Sequence, residues 1–120
     1  MEKILVVDDQ FDIRRLLAIT LGGSYEVIEA RDGVGALEML RCHHPKIVLL
    51  DVMMPGDIDG IDVLDVIKRD PEFSDVRVAM ITARGQSNDV RLGEEHGADA
   101  YFIKPFGPLQ VIRWVEAMLR

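Results

Sequence analysis

The 120-residue sequence predicts a three-layer α/β fold, an open five-stranded parallel sheet doubly wound by helices on both faces. Three observations carry this expectation. Short β-branched or aliphatic runs recur five times, most of them without the alternating polarity of a half-exposed strand. Longer segments with apolar residues at helical spacing separate them. The length suits one domain, and no Pro-, Ser- or Gly-rich linker or internal repeat divides it, so residues 1–120 are expected to form a single domain.

In chain order, Ile4-Leu5-Val6-Val7 is the first strand, and Ile13, Leu16, Leu17 and Leu21 share the apolar face of the first helix. Tyr25 to Ile28 is the second strand; Asp32 caps a helix whose inner face is Ala36, Leu37 and Leu40. Ile47 to Leu50 is the third strand, followed by a helix on Ile61, Leu64 and Ile67. Val76 to Ile81 is the fourth strand. The helix after it, between Gln86 and His96, has few apolar residues and Gly93 inside it, so it is expected to be the least stable; Gly97 is placed to stop it. Ala100 to Ile103 is the fifth strand, and Pro108 opens a last helix on Val111, Ile112, Val115 and Leu119.

Lys and Arg number 14 against 21 Asp and Glu, a net charge of −7, and such a chain is not expected to bind nucleic acid directly. Apolar runs reach only four residues, far short of a membrane span, and the N-terminus has no signal-peptide core. The single Cys42 cannot form an internal disulfide and is expected to be inert, so a reducing cytoplasm fits best.

In a sheet of this kind ligands bind beyond the carboxyl ends of the strands. There the sequence places Asp8-Asp9 after the first strand, Asp51 after the third, Thr82 after the fourth and Lys104-Pro105 after the fifth. Crowded carboxylates resist ionising unless a cation balances them, and Mg²⁺ accepts such oxygen ligands while keeping several waters. A lysine and a hydroxyl beside a metal suit a phosphoryl group, and a carboxylate can itself be the nucleophile. Asp51 is the best candidate: it is single, follows the central strand and opens the loop Val52-Met53-Met54-Pro55-Gly56.

The ordered segments Ile4-Leu5-Val6-Val7-Asp8-Asp9, Leu49-Leu50-Asp51-Val52-Met53-Met54-Pro55, Asp59-Gly60, Ile81-Thr82-Ala83, Gly97-Ala98-Asp99-Ala100-Tyr101 and Lys104-Pro105-Phe106 resemble the receiver domain of response regulators, over the whole chain. The resemblance implies a flavodoxin-like (βα)5 sheet in the order 2-1-3-4-5 and a cis Lys104-Pro105 bond. It makes Asp51 the phosphoacceptor, modified by a sensor histidine kinase or a histidine phosphotransfer protein. Asp9 and Asp51 resemble direct Mg²⁺ ligands, Asp8 a ligand through water, and the Met53 carbonyl a further ligand. Thr82 and Lys104 resemble the residues that hold the phosphoryl oxygens, and Thr82 and Tyr101 the switch pair.

By the same resemblance, the face of the fourth helix, fifth strand and fifth helix would signal to a downstream output protein or domain. It would also be the face for a homodimer, although Ala100 stands where members that dimerise on DNA often carry an aspartate. Asp51 to Gly60 spans nine residues where the family commonly has eight, so Gly56-Asp57-Ile58-Asp59 is expected to reshape the rim and partner choice. Met53 and Arg84 occupy positions expected to tune the lifetime of the phosphoryl group. His43, His44 and His96 fall at helix ends rather than with the carboxylates. Trp114 is open to two readings, packing or a partner contact.

The chain is thus expected to catalyse only its own phosphorylation and dephosphorylation, and not to be a turnover enzyme. One alternative, a Mg²⁺-dependent phosphohydrolase with an aspartyl nucleophile, would want a second acid where Met53 stands. A flavin carrier of similar topology would want phosphate donors where Asp8-Asp9 stand.

Overall fold

A computed structural model describes residues 1–82, 91 and 94–120. Its sheet is parallel throughout, in the order β2-β1-β3-β4-β5, with β1 at Lys3–Val7, β2 at Glu26–Ala30, β3 at Ile47–Asp51, β4 at Arg77–Thr82 and β5 at Ala100–Ile103. The helices are α1 (Phe11–Leu21), α2 (Gly33–His43), α3 (Gly60–Arg69) and a C-terminal helix, Pro108–Met118.

Successive side chains of a strand point to opposite faces, and this divides the core in two. Ile4, Val6, Leu49, Ala79 and Ile81 pack with Leu17 and Leu21 of α1 and Val111 and Val115 of the C-terminal helix. Leu5, Val7, Val48, Leu50, Val78 and Met80 pack with Ala36 and Leu40 of α2 and Val63, Leu64 and Ile67 of α3. Both faces of β1, β3 and β4 are therefore covered, which is why these strands read as unbroken apolar runs.

The edge strands differ from the expectation of buried strands. Glu26 in β2 is exposed and its next three residues are half-buried; in β5, Ile103 is exposed. Leu16 also departs from its assigned face: α1 buries Leu17 and Leu21, while Leu16 turns to solvent. Of the expected Gln86–His96 helix, Arg91, Glu94 and Glu95 are helical, and the rest up to Glu95, with the comparison of its stability, lies outside the described residues, as does Arg84. Trp114 is half-buried and meets Phe102 edge-on at 6.2 Å between ring centres.

Local chemistry fixes the helix starts nearest the strand ends. Asp32 Oδ1 accepts from the Gly35 N–H at 2.7 Å, as its cap role required. A capping box joins Asp59 and Asp62 at the start of α3, each side chain accepting from the other's N–H. An unforeseen 3-10 turn, Pro71–Phe73, begins at Asp70 and buries Phe73. The long loop before α3 lays Ile58 over the first residue of α2, where a Cβ on Gly33 would lie 2.4 Å from the Ile58 carbonyl oxygen.

Gly60 sits closer still, because a Cβ there would lie 2.1 Å from the carbonyl oxygen of Asp51. Gly60→Ala is expected to push α3 off the end of β3 and cost about 1–3 kcal/mol, the usual price of overpacking. The urea midpoint should fall with an unchanged slope.

Candidate functional site

Parallel pairing brings the ends of β1, β3, β4 and β5 to one edge, and the polar residues that follow them meet there. Asp8, just past β1, is buried, and its N–H donates to the Ala30 carbonyl at 3.1 Å. Its Oδ1 accepts from the Gln10 N–H at 2.9 Å, and its carbonyl accepts from Arg14 Nη1 at 2.8 Å. Arg14 is itself held by Glu29 of β2 at 3.3 Å.

Asp51 closes β3, is 4% exposed, and accepts the Met53 N–H on Oδ1 at 3.2 Å. Thr82 closes β4, also buried, and its carbonyl accepts from the Lys104 N–H at 2.7 Å, tying the two strand ends together. The Lys104-Pro105 bond is cis. From there the Lys104 ammonium lies 3.0 Å from Asp8 Oδ2 and 3.7 Å from Asp51 Oδ2, and donates to Gln10 Oε1 at 3.1 Å. Asp9, Gln10, Asp51, Met53 and Lys104 line a cleft of about 360 Å³.

The structure thus gathers Asp8, Asp9, Asp51, Met53 and Lys104 at one place, with Thr82 bonded to Lys104 through the backbone. Tyr101 lies back along β5, opposite Met80, against the core face shared with α2 and α3. Its hydroxyl is buried with no hydrogen-bond partner among the described residues, and burial, then Glu94, pushes its pKa up to about 12. Two of the histidines pair with acids outside the cleft: His96 with Asp65, and His44 with Glu72 at 3.6 Å.

Two residues of the site escaped sequence reasoning, Gln10 and Arg14. The only signal for either was its nearness to Asp8-Asp9, since their roles depend on reach across elements.

Electrostatics explain what the cleft needs. Burial raises the Asp51 pKa to about 7, with Asp8 and, more weakly, Asp9 adding to the rise while Lys104 and the Met53 N–H oppose it. One oxygen each from Asp8, Asp9 and Asp51 lies within 4.8 Å of the others. When all three carboxylates are ionised, Lys104 leaves two negative charges, the charge of one divalent cation. Asp8 Oδ2 is buried and, among the described residues, makes no hydrogen bond and faces only the Lys104 ammonium, as an ion pair. Hard oxygen donors with one unsatisfied buried atom suit Mg²⁺. No described helix is long and apolar enough to cross a membrane.

Residues 4–116 match the family described as the response regulator receiver domain. The chain is 42% identical over 120 residues to the probable transcriptional regulator ycf27 of Cyanophora paradoxa, covering 99% of the chain and 48% of that protein. It is 42% identical to the DNA-binding response regulator MtrA of Mycobacterium leprae, covering 99% and 52%. Among solved structures, the receiver domain of NtrX from Brucella abortus superposes with a TM-score of 0.88 at 34% identity, over 97% of each chain. The chain spans about half the length of the curated relatives it matches.

Proposed function

The chain belongs to the response regulator receiver family of two-component systems, and from that premise we propose that it accepts a phosphoryl group on Asp51 from a histidine of a sensor kinase or phosphotransfer protein. The observation that carries this is the convergence of Asp8, Asp9 and Asp51 with the Lys104 ammonium in one cleft.

Among the three carboxylates, Asp51 best suits nucleophilic attack. Asp8 has one oxygen on the Gln10 N–H and the other against Lys104, and Asp9 is exposed. Among the described residues, Asp51 Oδ2 meets only the more distant lysine at the cleft. In the transfer, an Asp51 oxygen bonds to phosphorus as the P–N bond to the donor histidine breaks, and the leaving imidazole keeps the electron pair and takes a proton from solvent. Lys104 donates to the phosphoryl oxygens, and the Thr82 hydroxyl donates to another. Mg²⁺, held by Asp8, Asp9 and Asp51 with the Met53 carbonyl, would keep Asp51 ionised and neutralise charge on the group in transit. Exposed Met53 stands where a phosphohydrolase would want its second acid, which favours a signalling role over turnover.

The new dianion is read through Thr82 and Tyr101. Among the described residues the buried Tyr101 hydroxyl has no partner, which costs about 1–3 kcal/mol, so a modest pull on Thr82 is enough to shift the population of this ring position. The shift passes through β5 and the C-terminal helix, with the Gln86–His96 segment, to a downstream protein or domain in the cytoplasm, or to a second copy of the chain. Residues 1–120 act here as one receiver domain, whose charge of −7 leaves DNA contact of the MtrA kind to some other segment.

Intact-mass measurement after incubation with a small phosphodonor tests the proposal. One PO₃ unit should appear only with Mg²⁺ and map to Asp51; no adduct, or one mapped elsewhere, overturns it.

A further inference from the structure

Gln10 occupies the N-cap position of α1, where Ser, Thr, Asp or Asn is favoured, yet its side chain makes no capping bond to the helix. Its amide oxygen accepts instead from Lys104 Nζ at 3.1 Å, across 94 residues of sequence. Its own N–H holds Asp8 Oδ1 at 2.9 Å. One residue thus grips both the lysine and the carboxylate nearest to that lysine, and it lines the cleft with Asp9, Asp51 and Met53.

Resting on the phosphoacceptor reading, we infer that Gln10 is a positioning residue for phosphoryl capture, holding the Lys104 ammonium within reach of the group that arrives on Asp51. A lysine ammonium is a point charge on a flexible four-carbon stem, so where it rests is set by its partners. The ammonium donates to Gln10 Oε1 at 3.1 Å and lies 3.0 Å from Asp8 Oδ2 and 3.7 Å from Asp51 Oδ2 as ion pairs. Without the Gln10 amide, the buried Asp8 oxygen is the strongest remaining attraction and draws the ammonium away from the acceptor. The amide tethers without adding charge. A carboxylate at this place would compete with the phosphoryl oxygens for the lysine and with the other acids for the cation.

Single-turnover phosphorylation by a small phosphodonor at saturating Mg²⁺ tests this in the parent, Gln10→Ala, Gln10→Ser, Lys104→Ala and the Gln10→Ala/Lys104→Ala pair, with Mg²⁺ affinity measured by titration calorimetry. Loss of one positioning hydrogen bond should slow capture about three- to tenfold in Gln10→Ala, with Mg²⁺ affinity within about twofold of the parent. Gln10→Ser, a better helix cap too short to reach the lysine, should be as slow. Once Lys104 is alanine, Gln10→Ala should cost nothing further, because it acts only through that residue. Parental rates in Gln10→Ala, recovery in Gln10→Ser, or equal slowing with and without Lys104 would each overturn the inference while leaving Asp51 as acceptor. A parent that takes no phosphoryl group overturns the acceptor reading and this inference with it.

Discussion

Asp51→Asn is expected to take no phosphoryl group and yet, in metal-free buffer at pH 8, to unfold at a higher urea concentration than the parent. The first half follows because an amide oxygen is not a nucleophile here, and of the other two carboxylates Asp8 is already engaged by the Gln10 N–H and Lys104 while Asp9 is exposed to solvent. The second half follows from burial. The Asp51 carboxyl titrates near 7 rather than 3.8, chiefly because its charge is desolvated beside Asp8. Between those two values the folded chain binds more protons than the unfolded chain, so stability falls as pH rises through the window and the loss is complete above 7. Three pKa steps correspond to about 4 kcal/mol at most.

Asparagine removes that penalty and also the attraction to Lys104, so a net gain of about 1–3 kcal/mol is expected at pH 8. Urea midpoints of parent and variant, taken from pH 5.5 to pH 8, should diverge as pH rises, and their difference isolates the carboxyl from every other titrating group. Mg²⁺ should raise the parent more than the variant and narrow the gap, as a ligand that binds only the folded state must. Equal stability at pH 8 would mean that Asp51 is not crowded in the way its surroundings require.

That crowding was visible in the residue order because topology does most of the assembly. Once β1, β3, β4 and β5 are parallel neighbours, whatever follows each of them lands on one edge, so Asp8, Asp51, Thr82 and Lys104 needed no knowledge of side-chain position. The same logic made β1 and β3 legible, since two-sided cover leaves an unbroken apolar run.

It failed where cover is partial or where contact depends on reach. Strand β2 is an edge, so Glu26 and Glu29 interrupt its pattern. Leu16 is about 100° from Leu17 around the helix axis, at the margin of the apolar stripe, and α1 buries Leu17 and Leu21 while Leu16 stays exposed. The bond from Lys104 to Gln10, the grip of Arg14 on the Asp8 carbonyl and the seat of Ile58 over Gly33 join elements far apart in sequence. No period or cap signal encodes them.

Lys104→Ala is expected to separate two duties that one ammonium performs. In the Mg²⁺-saturated protein it should slow phosphoryl capture by about 10²–10³-fold, the usual cost of removing a donor aimed at developing charge in a water-poor site. In metal-free protein it should also lower the urea midpoint at pH 8. Asp8 Oδ2 is buried with Lys104 as its only cation among the described residues, and an unpaired buried carboxylate is expensive. The Asp51 carboxyl loses an influence that lowers its pKa, so its titration should move further above 7 and the pH-dependent loss of stability, which still begins near the unfolded value, should extend to higher pH and be larger when complete. Mg²⁺ should restore the midpoint, because a divalent cation can replace a point charge among carboxylates, but it should not restore the rate. Lys104→Arg keeps the charge on a planar fork that cannot fill the same place, so it should recover stability more fully than capture. If Lys104→Ala captures the phosphoryl group within about threefold of the parent rate, the ammonium serves only to balance the acids at rest, and the donor to the phosphoryl oxygens must be sought at Thr82 alone.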